Sequence, residues 1–325
     1  MLEKKIFCFC LSILFTFFLN AQEEKTTHYF GAIFTEGENA KEMNFTVNRS
    51  SSYPASFSLK NRITSYGNQG TRGTCVGWAS TYNILQILNF NSAVNYQNLY
   101  SPQLTYDLIK PSIDLSCNIG TANSSALAVL KNIGAIDYTK YPDFCQDFNP
   151  NAKGLARIYT DDKENYLNLR INAKENKISD YFSLGNKYFK AKVKHLLSQN
   201  TPVLVGIDFH KSMENSTYIW NGNKDGAATG HSMCIIGYND TLHGGAFQLL
   251  NSWGEDWANN GSFWVKYEDL KGVLKEAYGI EKIEQNSFQY DEIELEKFKF
   301  SIHINTELKF KVDKVNNENI IFKKY

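Results

Sequence analysis

Three side chains, far apart in the chain, carry the chemistry of an acyl-transfer site. Cys75 stands in "NQGTRGTCVGWAS", directly after small and polar residues and directly before an apolar run. A thiol at a helix start feels unbonded amides and the helix dipole, which both favour thiolate. A thiolate nucleophile needs a proton acceptor and a group that orients the acceptor. His231 opens the run "HSMCIIGY" and Asn251 lies near the end of "GAFQLLNSW". If those runs pair as strands, the Asn251 amide oxygen meets one ring nitrogen and the other nitrogen faces Cys75. Such a pair predicts a thiol pKa below its free value and a histidine pKa above it. Taken singly, each residue also has a bland explanation: a buried cysteine, a satisfied structural histidine, an asparagine in a turn.

The elements that must position these groups are written in the apolar pattern. Residues 73–90 are apolar on most sides and predict a buried helix. "SPQLTYDLIK" predicts a second helix over 101–110, with Ser101 as cap and Pro102 in the first turn. Residues 121–136 predict a third, closed near Gly134, and "YFKAKVKHLLSQ" a fourth. Strands follow at 202–209, at 231–238 and 245–253 as a hairpin, and in "GSFWVKYEDL". A helical first half and a strand-rich second half give an α+β chain of two unlike lobes with a groove between them. The charged stretch "DDKENYLNLRINAKENK" sets the join near 160–185.

The 325 residues suit one large domain or two packed lobes, and aromatics at 14% give ample core material. Lys plus Arg equals Asp plus Glu at 34 each, so no basic excess points to nucleic acid. Residues 1–21 read as a secretory signal: Lys4 and Lys5, an apolar run from Ile6 to Leu19, then Asn20 and Ala21. The run is short for a membrane span. Residues 22–51 are polar and aperiodic, a short leader or pro-segment. The tail, 285–325, alternates charged and apolar residues and predicts added strands. After the signal the cysteines are Cys75, Cys117, Cys145 and Cys234, which allow three full pairings or one bridge and two thiols. Strand alternation turns Cys234 away from the His231 face, as a buried thiol.

The flanks of the three residues resemble the papain-like cysteine peptidases, the papain and cathepsin family. "Gln69-Gly70-Thr71-Arg72-Gly73-Thr74-Cys75" resembles the family's run around its nucleophile, and "Asn251-Ser252-Trp253-Gly254" with Trp257 and Gly261 resembles its N-S-W-G-x-x-W element. "SCNIGTANSSAL" resembles the turn and helix along one wall of the family's groove. The resemblance spans about 53–284 and implies a papain-like domain over 52–284. Its helical lobe would cover about 65–165 and its antiparallel, barrel-like β lobe about 175–284. It implies Cys75 as nucleophile, His231 as general base and acid, Asn251 as its orienter and Gln69 as oxyanion donor. Trp253 would cover the His231–Asn251 bond, while Gly120, where a peptide backbone pairs, Asn118 and Gly230 would line the groove. No metal or cofactor is called for, the partner is a protein or peptide substrate, and a monomer is expected.

Two departures matter. Arg72 replaces a family cysteine that bridges to the one matching Cys117, which leaves Cys145 as substitute partner. Closing that loop stabilises by about 3.6 kcal/mol in the chain-entropy account. The leader is much shorter than the family's inhibitory pro-segment, which argues against self-inhibition. The leading expectation is a secreted or periplasmic, bacterial thiol endopeptidase. The alternatives are an exopeptidase or amide hydrolase on the same scaffold, and a non-catalytic secreted binding protein.

Overall fold

The computed structural model describes residues 30–34, 40–46, 53–90, 98–141, 145 and 172–282, and the backbone of 310–315 and 320–324. The expected signal at 1–21, the part of the expected lobe join at 160–171 and the start of the tail lie outside the described residues.

The first long helix, α1, covers 75–88. It is α-helical at Cys75–Gly77, π-helical at Trp78–Asn83 and α-helical again at Ile84–Leu88, and it is buried throughout. The wide turn carries Ser80 and Thr81, whose hydroxyls reach the Val76 carbonyl and the Thr105 hydroxyl. A hydroxyl bonded back to the carbonyl four residues earlier loosens regular α-helix. Helix α2 (Pro102–Ile109) starts as its sequence predicts, with the Leu104 amide donating to Ser101 Oγ and Pro102 in the first turn. It touches α1 at Gly77, where a Cβ would lie 2.4 Å from the Pro102 carbonyl oxygen. Only glycine permits that approach. Helix α3 (Asn123–Asn132) is shorter at both ends than the pattern at 121–136, and Gly134, at φ +101°, turns the chain away. Helix α4 is Phe189–Ser198, and α5 is a single turn at Lys211–Glu214.

The second lobe is an antiparallel sheet of β1 (Ser56–Ser58), β2 (Ile178–Ser183), β3 (Val203–Phe209), β4 (Thr229–Asn239), β5 (Ala246–Leu250), β6 (Ser262–Lys266) and β7 (Leu274–Lys282). The order is β2-β7-β3-β4-β5-β6, and β1 takes the end of β4 that β3 leaves vacant. The expected β4–β5 hairpin forms, with Cys234 opposite Leu250.

Two expectations need correcting. The run "GSFWVKYEDL" is not strand throughout, because helix α6 (Tyr267–Lys271) follows β6, with Glu268 and Asp269 in its first turn. Acidic residues there suit the positive end of the helix dipole. The sheet is also not closed into a barrel. Its two ends, β2 and β6, are each bonded to something else. The Met43 amide donates to the Ser183 carbonyl and the Ser183 amide to the Lys41 carbonyl, while Trp264 exchanges backbone bonds with Tyr218 and Trp220. An occupied edge offers no ladder to the other.

A single apolar cluster joins Ile84 and Ile87 of α1 to Val205, Ile235, Phe247 and Phe263 of the sheet. The lobes are therefore fixed to each other through α1. In the tail, β8 (Phe310–Val315) and β9 (Ile320–Lys324) pair antiparallel. No helix among the described residues is long and apolar enough to cross a membrane.

Candidate active site

Cys75 is the first residue of α1 and is fully buried. The backbone amides of Ser232, Gly31 and Val76 lie about its sulfur and favour its thiolate. Ser232 follows His231 in β4, so α1 and β4 bring the thiol and the imidazole into one neighbourhood. His231 sits opposite Ile207 of β3, in the middle of a ladder that leaves its strand no freedom. Its Nε2 is 2.7 Å from Asn251 Oδ1, which also accepts the Ser252 amide at 2.8 Å. Trp253 lies 5.3 Å from the imidazole, centre to centre, and Phe209 presents itself edge-on at 5.0 Å. Together they form an apolar jacket around the His231–Asn251 bond.

Gln69 is fully buried and held at three points. Its amide donates to the Ser252 carbonyl, its Oε1 accepts from Ser252 Oγ at 2.7 Å, and its Nε2 donates to the Arg72 carbonyl at 2.8 Å. The Ser252 clamp was missed from sequence, although its place between Asn251 and Trp253 was the available signal. Phe209, at the end of β3, was missed for want of any motif.

The space above Cys75 is filled by residues 30–34 of the same chain. The Thr121 amide donates to the Gly31 carbonyl at 2.7 Å, and the Ile33 amide to the Thr121 carbonyl at 2.8 Å. On the opposite wall the Ala32 amide donates to the Gly230 carbonyl at 3.0 Å. Phe30 packs edge-on against His231 at 5.5 Å and Trp253 at 5.8 Å, and also contacts Phe209 at 5.2 Å. The approach is close enough that a Cβ on Gly230 would lie 2.0 Å from the Ala32 carbonyl oxygen. A second stretch of the leader lies against β2 and α4, where Glu42 pairs with Lys192 at 3.1 Å.

Two sequence expectations are overturned here. A short leader does cover the thiol, because backbone bonds to two walls need few residues. The Cys75 pKa is not depressed in this covered form. Burial pushes the thiol up to about 11, against the opposing pull of the Ser232 and Gly31 amides. Water exclusion disfavours the thiolate more than those amides favour it.

The first wall is the loop after α2. Gly120 lies beneath Gly31, as its place in the groove requires, but the groups that pair with the segment belong to Thr121. The Gly120 amide is taken by Tyr106 Oη at 2.9 Å, and Tyr106 Oη donates to Asp114 Oδ2 at 2.6 Å. Asn118 supports the wall from behind, its amide on Asp114 Oδ1 at 2.9 Å and its carbonyl against Gly73. Cys117, at φ +58°, is joined to Cys145 by a disulfide. Lys110 Nζ reaches both sulfurs, at 3.4 and 3.3 Å, and forms a buried ion pair with Asp107 at 2.9 Å. Cys234 is a buried free thiol that donates to the Ala79 carbonyl, and burial raises its pKa.

The comparisons speak to the family and the fold. The family described as "Papain family cysteine protease" matches residues 53–283. The chain is 24% identical to cathepsin F of Mus musculus over 216 residues, 63% of this chain and 40% of that one. It is 24% identical to the viral cathepsin of Heliothis zea nuclear polyhedrosis virus over 223 residues, 66% of this chain and 53% of that one. The chain thus spans about half the length of these relatives, or less. Among solved structures, xylellain, a cysteine protease from Xylella fastidiosa, superposes with a TM-score of 0.60 at 19% identity, covering 80% of this chain and 97% of that one. The digestive procathepsin L2 of Tenebrio molitor gives 0.60 at 20% identity, with 80% of each chain covered. At such identities these two likenesses speak for the fold, and the match over 53–283 speaks for the family: the chain belongs to the papain family of cysteine proteases.

Proposed function

We propose that this protein is a secreted cysteine peptidase, made with residues 30–34 in its own cleft, that hydrolyses peptide bonds through an acyl-enzyme on Cys75. The observation that carries the reading is the extended backbone at 30–34, bonded to Thr121 on one side and Gly230 on the other, directly over Cys75. A cleft that holds its own chain this way is built for a peptide backbone.

In the proposed reaction residues 30–34 first leave and water re-enters. Cys75 Sγ attacks the scissile carbonyl while His231 takes the thiol proton. With Nε2 held on Asn251, Nδ1 is the nitrogen that carries it. The developing oxyanion is met by the Cys75 amide and the side-chain amide of Gln69. His231 then protonates the leaving amine, leaving a thioester. A water molecule, deprotonated by His231, attacks the thioester, and the carboxylic acid product departs as Cys75 recovers its proton. Trp253 and Phe209 keep water from the His231–Asn251 bond throughout. The signal-like residues 1–21 and the Cys117–Cys145 bridge support an oxidising, extracytoplasmic setting.

The test is titration of the full chain with a peptidyl epoxide, with hydrolysis of a denatured protein followed in parallel. Label on Cys75, and hydrolysis lost in Cys75→Ala, is the expected result. Hydrolysis that persists in purified Cys75→Ala would sink the mechanism.

A further inference from the structure

The family resemblance puts backbone pairing on Gly120, yet in this chain the Gly120 amide points away from the cleft, onto Tyr106 Oη at 2.9 Å. Thr121 supplies both pairing groups to residues 30–34. We infer that Tyr106 and Asp114 are positioning residues for the peptidase, and that they turn the 118–121 loop so that Thr121, rather than Gly120, pairs with the backbone of a peptide substrate. The inference rests on the peptidase reading of the cleft.

The geometry is a three-point latch. Asp114 accepts from Asn118 N on one oxygen and from Tyr106 Oη on the other, at 2.9 and 2.6 Å. Tyr106 Oη then accepts from Gly120 N. A single carboxylate and a single phenol thus fix both ends of the turn from 118 to 120. Both side chains are buried, at 0% and 1% exposure, so neither has water as a substitute partner. Burial and the Asp114 hydrogen bond raise the Tyr106 pKa, which keeps the phenol protonated and its donor in place. With the Gly120 amide engaged, a peptide in the cleft finds the Thr121 amide and carbonyl as the next backbone pair. An unlatched Gly120 amide would compete for the same carbonyl and shift the register by one residue.

The test compares two inactivators of Cys75 on the full chain: a dipeptidyl epoxide, whose backbone lies along the wall, and iodoacetamide, which needs no wall. Both wait on the same departure of residues 30–34, so that step cancels in the ratio of their second-order constants. Tyr106→Phe keeps the ring and removes one oxygen. It should lower the ratio about three- to tenfold, as should Asp114→Asn, the scale of one misdirected backbone hydrogen bond. Deuterium uptake across 118–121 should quicken in the same variants. A ratio unchanged in both variants, or a fall that iodoacetamide shares in full, overturns the inference. If the wild-type chain takes no epoxide at all, the peptidase reading is what fails. Deuterium uptake then decides the latch alone: faster in Tyr106→Phe upholds it, unchanged overturns it.

Discussion

The two walls of the cleft are held by different physics. The sheet wall, at Gly230–Ser232, is a stretch of β4 paired residue by residue with β3, from Asp208 opposite Gly230 to Gly206 opposite Ser232. Its position is over-determined by backbone bonds and an apolar core. The helical wall, at Cys117–Thr121, is a loop. It is held by individual side chains: Tyr106, Asp114, the Cys117–Cys145 bridge and the buried Lys110–Asp107 pair behind it. Loss of one polar partner in a buried network exposes the other to the full desolvation cost, whereas a ladder shares any loss among many bonds. The helical wall should therefore be the fragile one, and the one where specificity is set.

The largest expected effect comes from breaking the ion pair behind that wall. Lys110→Met leaves Asp107 buried without its counter-charge and should cost about 3–5 kcal/mol in denaturant unfolding. The pH dependence gives a further check. Burial raises the Asp107 pKa even against the pull of Lys110, Tyr141 and Gln103. A carboxyl whose folded pKa lies above its unfolded value, about 3.9, favours the fold most below that pH and loses the contribution as pH rises. Without Lys110 the folded pKa climbs further, so the deficit should grow from acid toward neutral pH. A deficit that is constant with pH would mean the lysine matters for packing alone.

Next in size is the proposed oxyanion donor, Gln69, which is held by Ser252 and Arg72. Gln69→Ala should lower kcat by about 10²- to 10³-fold while KM moves little. Loss of affinity at unchanged kcat would make Gln69 a groove contact only. Removing the leader's aromatic anchor should do less. Phe30 packs on His231, Trp253 and Phe209, but it is only partly buried. Phe30→Ala should speed alkylation of Cys75 about tenfold at neutral pH, near the lower end of what a phenylalanine side chain contributes. In the covered form the thiolate grows only toward pH 11, so the wild-type rate should keep climbing well above neutrality. An alkylation rate untouched by the substitution would mean the segment does not gate the thiol.

The same contrast explains what the sequence disclosed. Cys75, His231 and Asn251 stand at or near the ends of strongly patterned runs, so the elements that carry them were legible, while the resemblance of their flanks is what joined the three into one expected site. Strands β2 and β7 did not stand out. β2 lies at the sheet's edge and is largely half-exposed, and β7 carries Lys275 and Glu276 among its apolar residues. The covering segment was illegible because its hold lies in backbone bonds and in Gly31, Gly120 and Gly230, none of which leaves an apolar period. That same blindness reversed the thiol pKa. Charge and dipole at Cys75 could be read locally, but the desolvation comes from a segment distant in sequence.

The smallest effect is expected on the sheet wall, and it is the sharpest test of the comparison. Ile207 is fully buried and lies directly opposite His231 in the ladder. Ile207→Val removes one methylene and should cost about 0.5–1.5 kcal/mol of stability. If the sheet wall is fixed by its ladder, His231 should stay where it is, since β3 still bonds β4 on one edge and β5 still presents Asn251 from the other. Peptide hydrolysis should then keep its kcat and KM within about a factor of two, a change under 0.5 kcal/mol. The contrast with Tyr106→Phe is pointed, because each substitution removes one heavy atom from a fully buried side chain behind a wall. Steady-state kinetics of the two variants, set beside their unfolding midpoints, make the comparison. If Ile207→Val lowers kcat by an order of magnitude at nearly unchanged stability, the sheet wall is as easily displaced as the loop. Specificity would then have to be sought on both sides of the cleft.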